Sequence, residues 1–438
     1  MNNKQREFES QTRGLKSYAN DLKDLKDDIK LTAEEQRQYD STDIQQKIVY
    51  GWMMAPLGLT THIFGKLRSV YSTDACHAKT SLGGTFFMMC AEDSNDNIVT
   101  LGVAFFYDNE SSSTWRRFLS FMRDVYPGLD SARSLFIADG DKGFKEVFKS
   151  IFPVSFRLFC LQHMLNPDKK VTAKDKSLYN EAAASANQDQ IIHLYNKISE
   201  SQRGKWEKAG IAINEMFPGL IPDISWGKTT SSCIESLNGA YGPIRYLHSA
   251  DALVASINRE TKTMASHKSC SMLCVDTIPP LSGRRHLAKL AENSNRIANV
   301  SRVRSTGNQL MWTLVTTLHD GGVREHVCSI QGLWCSCKKP SMTKKPCWHK
   351  LRTGVEVSVQ GDSIFGYYFT SKYWKYQYAD MPNLKPIAST DWEFKTKGDA
   401  IMPFTKKRGR GRPKEYKRIK GRYEIFQKVA KIRGNTMG

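Results

Sequence analysis

The chain has 438 residues, enough for two or three domains, and its 40% hydrophobic content is ordinary for a globular protein that buries real cores. No run of 18 apolar residues occurs and the first 50 residues are polar, so neither a membrane span nor secretion is expected. Ten cysteines are too sparse for a disulfide framework, and the crowding of Cys335, Cys337 and Cys347 near His349 points to reduced thiols and a metal site. The formal net charge is +20, and the last 34 residues hold 13 Lys or Arg against Glu415 and Glu424, which puts +11 of it in one tail. Such a tail suits a polyanion, because neutralising phosphates releases condensed counterions; the same charges also suit nuclear import.

In chain order, Leu15, Tyr18, Leu22, Leu25 and Ile29 recur at steps of three and four, the stripe of an amphipathic helix. Thr32 with Glu35 has the spacing of a capping box and predicts a second helix, so residues 1–60 read as a helical segment. The pattern then changes. Residues 66–73, 84–91 and 97–107 are β-rich runs separated by Gly, Ser, Asn and Asp, and predict a three-stranded meander. A helix capped by Ser113 follows, with Trp115, Phe118, Leu119 and Met122 on one face and Pro127 beyond its end. A strand at 134–138, a helix at about 141–151 and a strand at 154–160 complete an α/β pattern, in which strands alternating with helices imply parallel pairing by right-handed crossovers. Residues 170–220 read as helical, with Ile191, Leu194, Tyr195 and Ile198 on one stripe, and residues 305–335 return to β-like runs.

Two aspartates stand at strand ends: Asp74 in STDACHAKT and Asp139 in FIADGDKGF. If those strands are neighbours, both carboxylates project into one crevice beyond the sheet, where open α/β sheets bind ligands, and the pair can hold a divalent metal. Glu235 in TTSSCIESLN is expected on a helix that brings a third carboxylate, with Asn238 one turn later on the same face. Each residue also has a local reading: Asp ends strands as a turn former, Asp141 can cap a helix, and Ser232 to Glu235 is capping-box spacing.

Taken together and in order, STDACHAKT with GTFFMMCAEDSNDN, FIADGDKGFKEVFKSIFP, RLFCLQHM and TTSSCIESLN resemble the catalytic core of Mutator-like element (MULE) transposases. The resemblance implies an RNase H-like α/β fold over about residues 61–255 with a helical insertion at about 165–228. It implies that Asp74, Asp139 and Glu235 are catalytic metal ligands and that Cys160 and His163 form an associated pair. The chemistry implied is phosphodiester cleavage and strand transfer with two Mg²⁺ or Mn²⁺ ions on double-stranded DNA, the element's ends and the target, in the nucleus, with a second copy of the chain as a further partner. The rival is a transposase-derived DNA-binding regulator that keeps the fold without the chemistry.

After a helical and β linker at 256–325, Cys335-Ser-Cys337 and, nine residues on, Cys347-Trp-His349 offer four ligands of the kind that suits Zn²⁺. Residues two apart on a strand face one side, so Cys335 and Cys337 are expected to turn toward one ion. The spacing resembles a SWIM-type zinc finger, at residues 326–360, and four protein ligands imply a structural zinc. Cys270 and Cys274 lack partners at ligand spacing. In the basic tail at 395–438, Arg408, Arg410, Gly411, Arg412, Pro413 and Lys414 resemble an AT-hook, which would lay its arginines along an A·T-rich minor groove.

Overall fold

The computed structural model of the chain describes residues 30–39, 45–80, 83–139, 143–165, 171–221, 224–247, 249–276, 278–297, 299–305, 311–317, 323–330, 332–359 and 364–382. The Leu15 to Ile29 stripe, Asp141 and the basic tail with Arg408 to Lys414 lie outside the described residues.

Seven strands form one mixed sheet in the order β1-β2-β5-β4-β3-β6-β7. They are β1 (Lys30–Tyr39), β2 (Gln45–Ala55), β3 (Val70–His77), β4 (Thr85–Glu92), β5 (Ile98–Phe106), β6 (Leu135–Ala138) and β7 (Phe156–Phe159). The pairs on the β1 to β3 side are antiparallel, whereas β3 with β6 and β6 with β7 are parallel. The second and third strands of the meander and the two later strands fall where the sequence predicts them, whereas the first, expected at 66–73, runs Val70–His77. The crossovers carry helices α2 (Ser112–Val125) and α3 (Phe144–Ile151), and α1 (Leu57–Phe64) precedes β3.

The expected second helix at Thr32 is corrected: Lys30–Tyr39 is a strand paired antiparallel with β2 along its whole length. The cause is tertiary. Apolar β2 offers a free edge, and a polar neighbour takes its conformation from that edge by backbone pairing, which overrides a local capping signal. Ser111, not Ser113, caps α2; its hydroxyl accepts from the Thr114 amide at 3.3 Å and the Thr114 hydroxyl accepts from the Ser111 amide at 2.9 Å.

The central strands are buried on both faces, which explains their unbroken apolar runs. Phe87, Met89 and Ala91 of β4 enter a core with Trp115, Phe118, Leu119 and Met122 of α2 and Phe144, Val147 and Phe148 of α3. Phe86, Met88 and Cys90 face the other way, against Ile234, Leu237 and Tyr241. Those residues belong to α8 (Ser232–Ala240) and its end, so the sheet lies between two helical layers. After β7 come α4 (Leu161–Met164), α5 (Ala173–Ala184), α6 (Gln188–Lys197) and α7 (Glu200–Lys208). The last three build a core of their own around Tyr179, Ile191, Leu194, Ile198, Trp206 and Phe217. Helices α9 (Ser249–Met272) and α10 (Leu281–Ile297) lead to a three-stranded antiparallel sheet of β8 (Asn299–Ser305), β9 (Met311–Thr317) and β10 (Val323–Ser329). Short α11 (Lys339–Thr343), α12 (Trp348–Glu356) and α13 (Ser371–Tyr378) follow. No helix among the described residues is long and apolar enough to cross a membrane.

Candidate functional site

Register puts the acidic residues side by side. The parallel pairing sets Val70 against Leu135 and Ser72 against Ile137, so continuing it two residues sets Asp74 level with Asp139. The pairing of β6 with β7, Leu135 against Phe156 and Ala138 against Phe159, likewise sets Asp139 level with Cys160. The Cys160 amide donates to the Ala138 carbonyl at 3.0 Å, one residue before Asp139. Three candidate side chains therefore share one row. Asp139 and Cys160 follow the carboxyl ends of β6 and β7, whereas Asp74, expected at a strand end, lies within β3, which runs on to His77 in pairing with β4. The row thus opens where the parallel strands beside β3 stop.

Helix α8 covers this row. Asn238 Nδ2 donates to Asp74 Oδ2 at 2.6 Å, and the Cys233 thiol donates to the Ser72 hydroxyl at 3.0 Å. Asn238 Oδ1 is buried with no hydrogen-bond partner among the described residues. Burial first, and the charge of Asp139 second, push the Asp74 carboxyl from an ordinary 3.8 up to about 6, against an opposing hydrogen bond from Asn238. Two carboxylates that destabilise one another's charge are a place where a cation gains from binding.

Glu235 lies one turn before Asn238, but the structure does not bring the three expected carboxylates into one ligand shell. Its ligand atom lies within 4.8 Å of those of Cys160 and His163, a group of three, while Asp74, Asp139 and Glu235 do not form such a group among the described residues. The Ser231 amide, at the entrance to α8, donates to Cys160 Sγ at 3.3 Å, and the Leu161 amide to the Thr229 carbonyl at 2.8 Å, which ties the Cys-x-x-His turn to the start of α8. Burial alone would raise the Cys160 thiol; hydrogen bonds with His163 and Ser231 outweigh it and hold it below its ordinary value. The Cys160 thiol chiefly, with the charges of Asp139 and Asp74, pushes His163 up to about 9 against the effect of burial. The shift favours the protonated ring beside Cys160.

Sequence reading missed Glu110. It follows β5 immediately ahead of the α2 cap, its Oε1 accepts from Trp115 Nε1 at 3.2 Å, and its charge adds to the field that raises Asp74. The loop is close to the Asp139 loop: Gly143, at φ +96°, has Ser112 so near that an added Cβ would lie 2.4 Å from its hydroxyl. The available signal was an acidic residue between a strand end and a capping serine.

The second site is local. Cys335, Cys337, Cys347 and His349 place ligand atoms within 4.8 Å of one another. Cys335 and Cys347 Sγ each lie 3.7 Å from His349 Nδ1. The expected strand for Cys335 and Cys337 is corrected: Cys335 makes a single bridge to Cys328, and a turn closed by the Lys338 amide on the Cys335 carbonyl at 2.9 Å brings Cys337 round. Cys347 precedes α12, whose first turn carries His349. Contacts with Cys335 and Cys347 hold the Cys337 thiol well below its ordinary value, while contacts with Cys337 and Cys347 push Cys335 up. His326 stacks on His349 at 3.7 Å and Cys328 bonds to Thr353 at 3.2 Å, so the cluster is walled in. Cys270 and Cys274 join neither group.

Among protein families, the MULE transposase domain matches residues 70–167, from the first residue of β3 to just beyond α4. The match spans Asp74, Asp139, Cys160 and His163; Glu235 and the cysteine cluster lie outside it. No curated protein matches the chain.

Proposed function

We propose that this chain, a transposase-family protein by its MULE transposase domain, cuts and joins DNA at the crevice formed by Asp74, Asp139 and Glu235. The observation that carries the reading is the shared row of Asp74 and Asp139, with burial first and the charge of Asp139 second raising the Asp74 carboxyl. A sheet of antiparallel strands continued by two parallel ones supports an RNase H-like core.

Hard oxygen donors fit Mg²⁺ or Mn²⁺, and the buried, unpartnered Asn238 Oδ1 adds a neutral oxygen beside them. Two such ions supply activation of a water or 3′-hydroxyl and stabilisation of the leaving oxygen. The protein's part is positioning. Asp74 is held by Asn238, Asp139 by the end of β6, and Glu235 by α8, where it stands one turn before Asn238 and beside Cys160 and His163. Protonated His163 supplies a positive charge for a DNA phosphate. Cys335, Cys337, Cys347 and His349 hold a structural zinc in a SWIM-type module. The tail residues Arg408 to Lys414 add minor-groove contacts, and self-association and a nuclear location belong to the same reading.

The test is cleavage of a duplex bearing the element's own terminal sequences. Asp139→Asn should leave DNA binding within about twofold and lower cleavage in Mg²⁺ or Mn²⁺ about a thousandfold or more. A second reading, a DNA-binding regulator, is favoured by one observation: Glu235 sits with Cys160 and His163. Wild-type protein that binds those ends and never cuts them in either metal establishes it.

A further inference from the structure

The helix that carries Glu235 and the cysteine module are far apart in sequence, yet one ionic network, built around buried Arg68 with half-buried partners, grips both. Lys345, two residues before Cys347, places Nζ 2.8 Å from Asp96 Oδ2. Asp96 pairs also with Arg68, whose other terminal nitrogen lies 2.8 Å from Glu92 Oε2. Glu92 in turn receives Lys228 at 2.6 Å, and Lys228 leads through Thr229 and Ser231 into α8. The Arg68 side chain is 1% exposed.

The intermediate carboxylates are held rigidly. Asp96 sits in the β4–β5 turn at φ +58°, and Asp93 beside it accepts from the amides of Asn95 and Asn97 at 2.8 Å, from Trp374 Nε1 at 2.8 Å and from the Tyr378 hydroxyl at 2.9 Å. Phe369 caps the cations, with Arg68 4.7 Å and Lys345 4.6 Å from its ring centre. A second connection runs through packing. Gly227, at φ +69°, meets Thr343 of α11 so closely that a Cβ would lie 2.7 Å from the Thr343 methyl, and Trp226 packs on Tyr368 at 4.6 Å. Behind Lys345, His286 Nε2 donates to the Pro346 carbonyl at 2.8 Å.

We infer that Lys345 and Lys228 are positioning residues through which the cysteine module, when its ligands are held by zinc, sets the placement of α8 and so of Glu235. Apolar side chains would fill the same space with less desolvation cost; what charged groups in a fixed chain add is one specific geometry. Cys347 is the hinge of the coupling. With it held, Lys345 is presented to Asp96; with it released, Asp96 loses one of its two cations, Arg68 redistributes between Asp96 and Glu92, and Lys228 loses a fixed partner. Zinc loading and the geometry of the acidic crevice are then linked properties. The inference rests on Glu235 being catalytic and the module binding zinc.

Hydrogen exchange of the full chain, with zinc content measured on the same samples, tests it. Chelation of the wild type should speed amide exchange across residues 228–240 at least about tenfold, besides the module's own residues. Zinc-loaded Lys345→Ala should show the same acceleration in 228–240, Lys345→Arg should restore protection, and Asp96→Asn should behave as Lys345→Ala. Where DNA cleavage is measured, Lys345→Ala should need more Mn²⁺ for half-maximal rate, a change that Lys345→Arg reverses. Zinc-loaded Lys345→Ala exchanging like wild type in 228–240, or chelation felt only in 326–359, overturns the coupling. A preparation without zinc removes the metal half of the inference alone, since Lys345→Ala still decides whether Lys345 positions α8. Absence of cleavage removes the catalytic reading and leaves the exchange result standing.

Discussion

The acidic crevice and the cysteine module are both candidate metal sites, and they are built in opposite ways. The module takes four ligands from fifteen consecutive residues, Cys335 to His349, shaped by one bridge, one turn and the start of one helix. The crevice takes Asp74 from one strand and Asp139 from the end of another, neighbours only through the register of a parallel pair, while Glu235, the proposed third ligand, stands on a helix with Cys160 and His163. Soft, local ligands need only a short chain to converge, and it is a shared ion that offsets the crowding of their thiols. Hard, distant ligands repel one another and are held together by the sheet, whose two apolar faces offset the cost of that repulsion. The module should therefore depend on its ion for structure, and the crevice on its ions for chemistry alone.

The largest expected effect breaks the module. Cys347→Ser removes one of four ligands and should take zinc from one per chain to none, with loss of structure confined at first to the module; structural zinc sites contribute on the order of 10 kcal/mol. Elemental analysis and near-ultraviolet circular dichroism read both. Next comes the link between the regions: Arg68→Ala removes the buried guanidinium shared by Glu92 and Asp96, each of which keeps one lysine, and should cost about 3 kcal/mol in denaturant unfolding. A smaller effect sharpens the crevice. Because Asp74 titrates higher in the folded chain than in the unfolded one, its burial costs nothing below about pH 3.8, and the penalty grows to its full size above about pH 6. Ion-free protein should therefore lose stability as pH rises through that window, by up to about 3 kcal/mol from this residue. Asp74→Asn should flatten the curve in urea titrations from pH 4 to 8.

The same contrast explains what was legible in the sequence. Strands β3 to β7 and helices α2 and α3 show in the apolar runs and periodicities, because a sheet buried on both faces leaves few polar positions in its strands. The cysteine cluster shows in spacing alone, although the strand expected for Cys335 and Cys337 is a bridge and turn. The conformation of Lys30–Tyr39 was not legible, since its polar sequence becomes a strand only against β2. The meeting of Asp74 and Asp139 was legible only on the condition that their strands are neighbours, and the place of Cys160 in the same row depends on two crossovers closing in register. Glu110 escaped notice for the same reason: nothing near it in sequence says that its loop lies by Asp74. The ionic chain from Lys345 to Lys228 joins residues 117 positions apart through partners on two other segments, a relation no local pattern encodes.

The division into a chemical crevice and a structural module is tested most directly by Mn²⁺ binding, followed by electron paramagnetic resonance on zinc-loaded protein. Wild type should bind Mn²⁺, Asp139→Asn should weaken that binding at least about tenfold with zinc content unchanged, and affinity should fall as pH drops below about 6, where Asp74 takes up its proton. Mn²⁺ binding that is equal in wild type and Asp139→Asn, or that disappears with Cys347→Ser while Asp139→Asn retains it, would contradict the account.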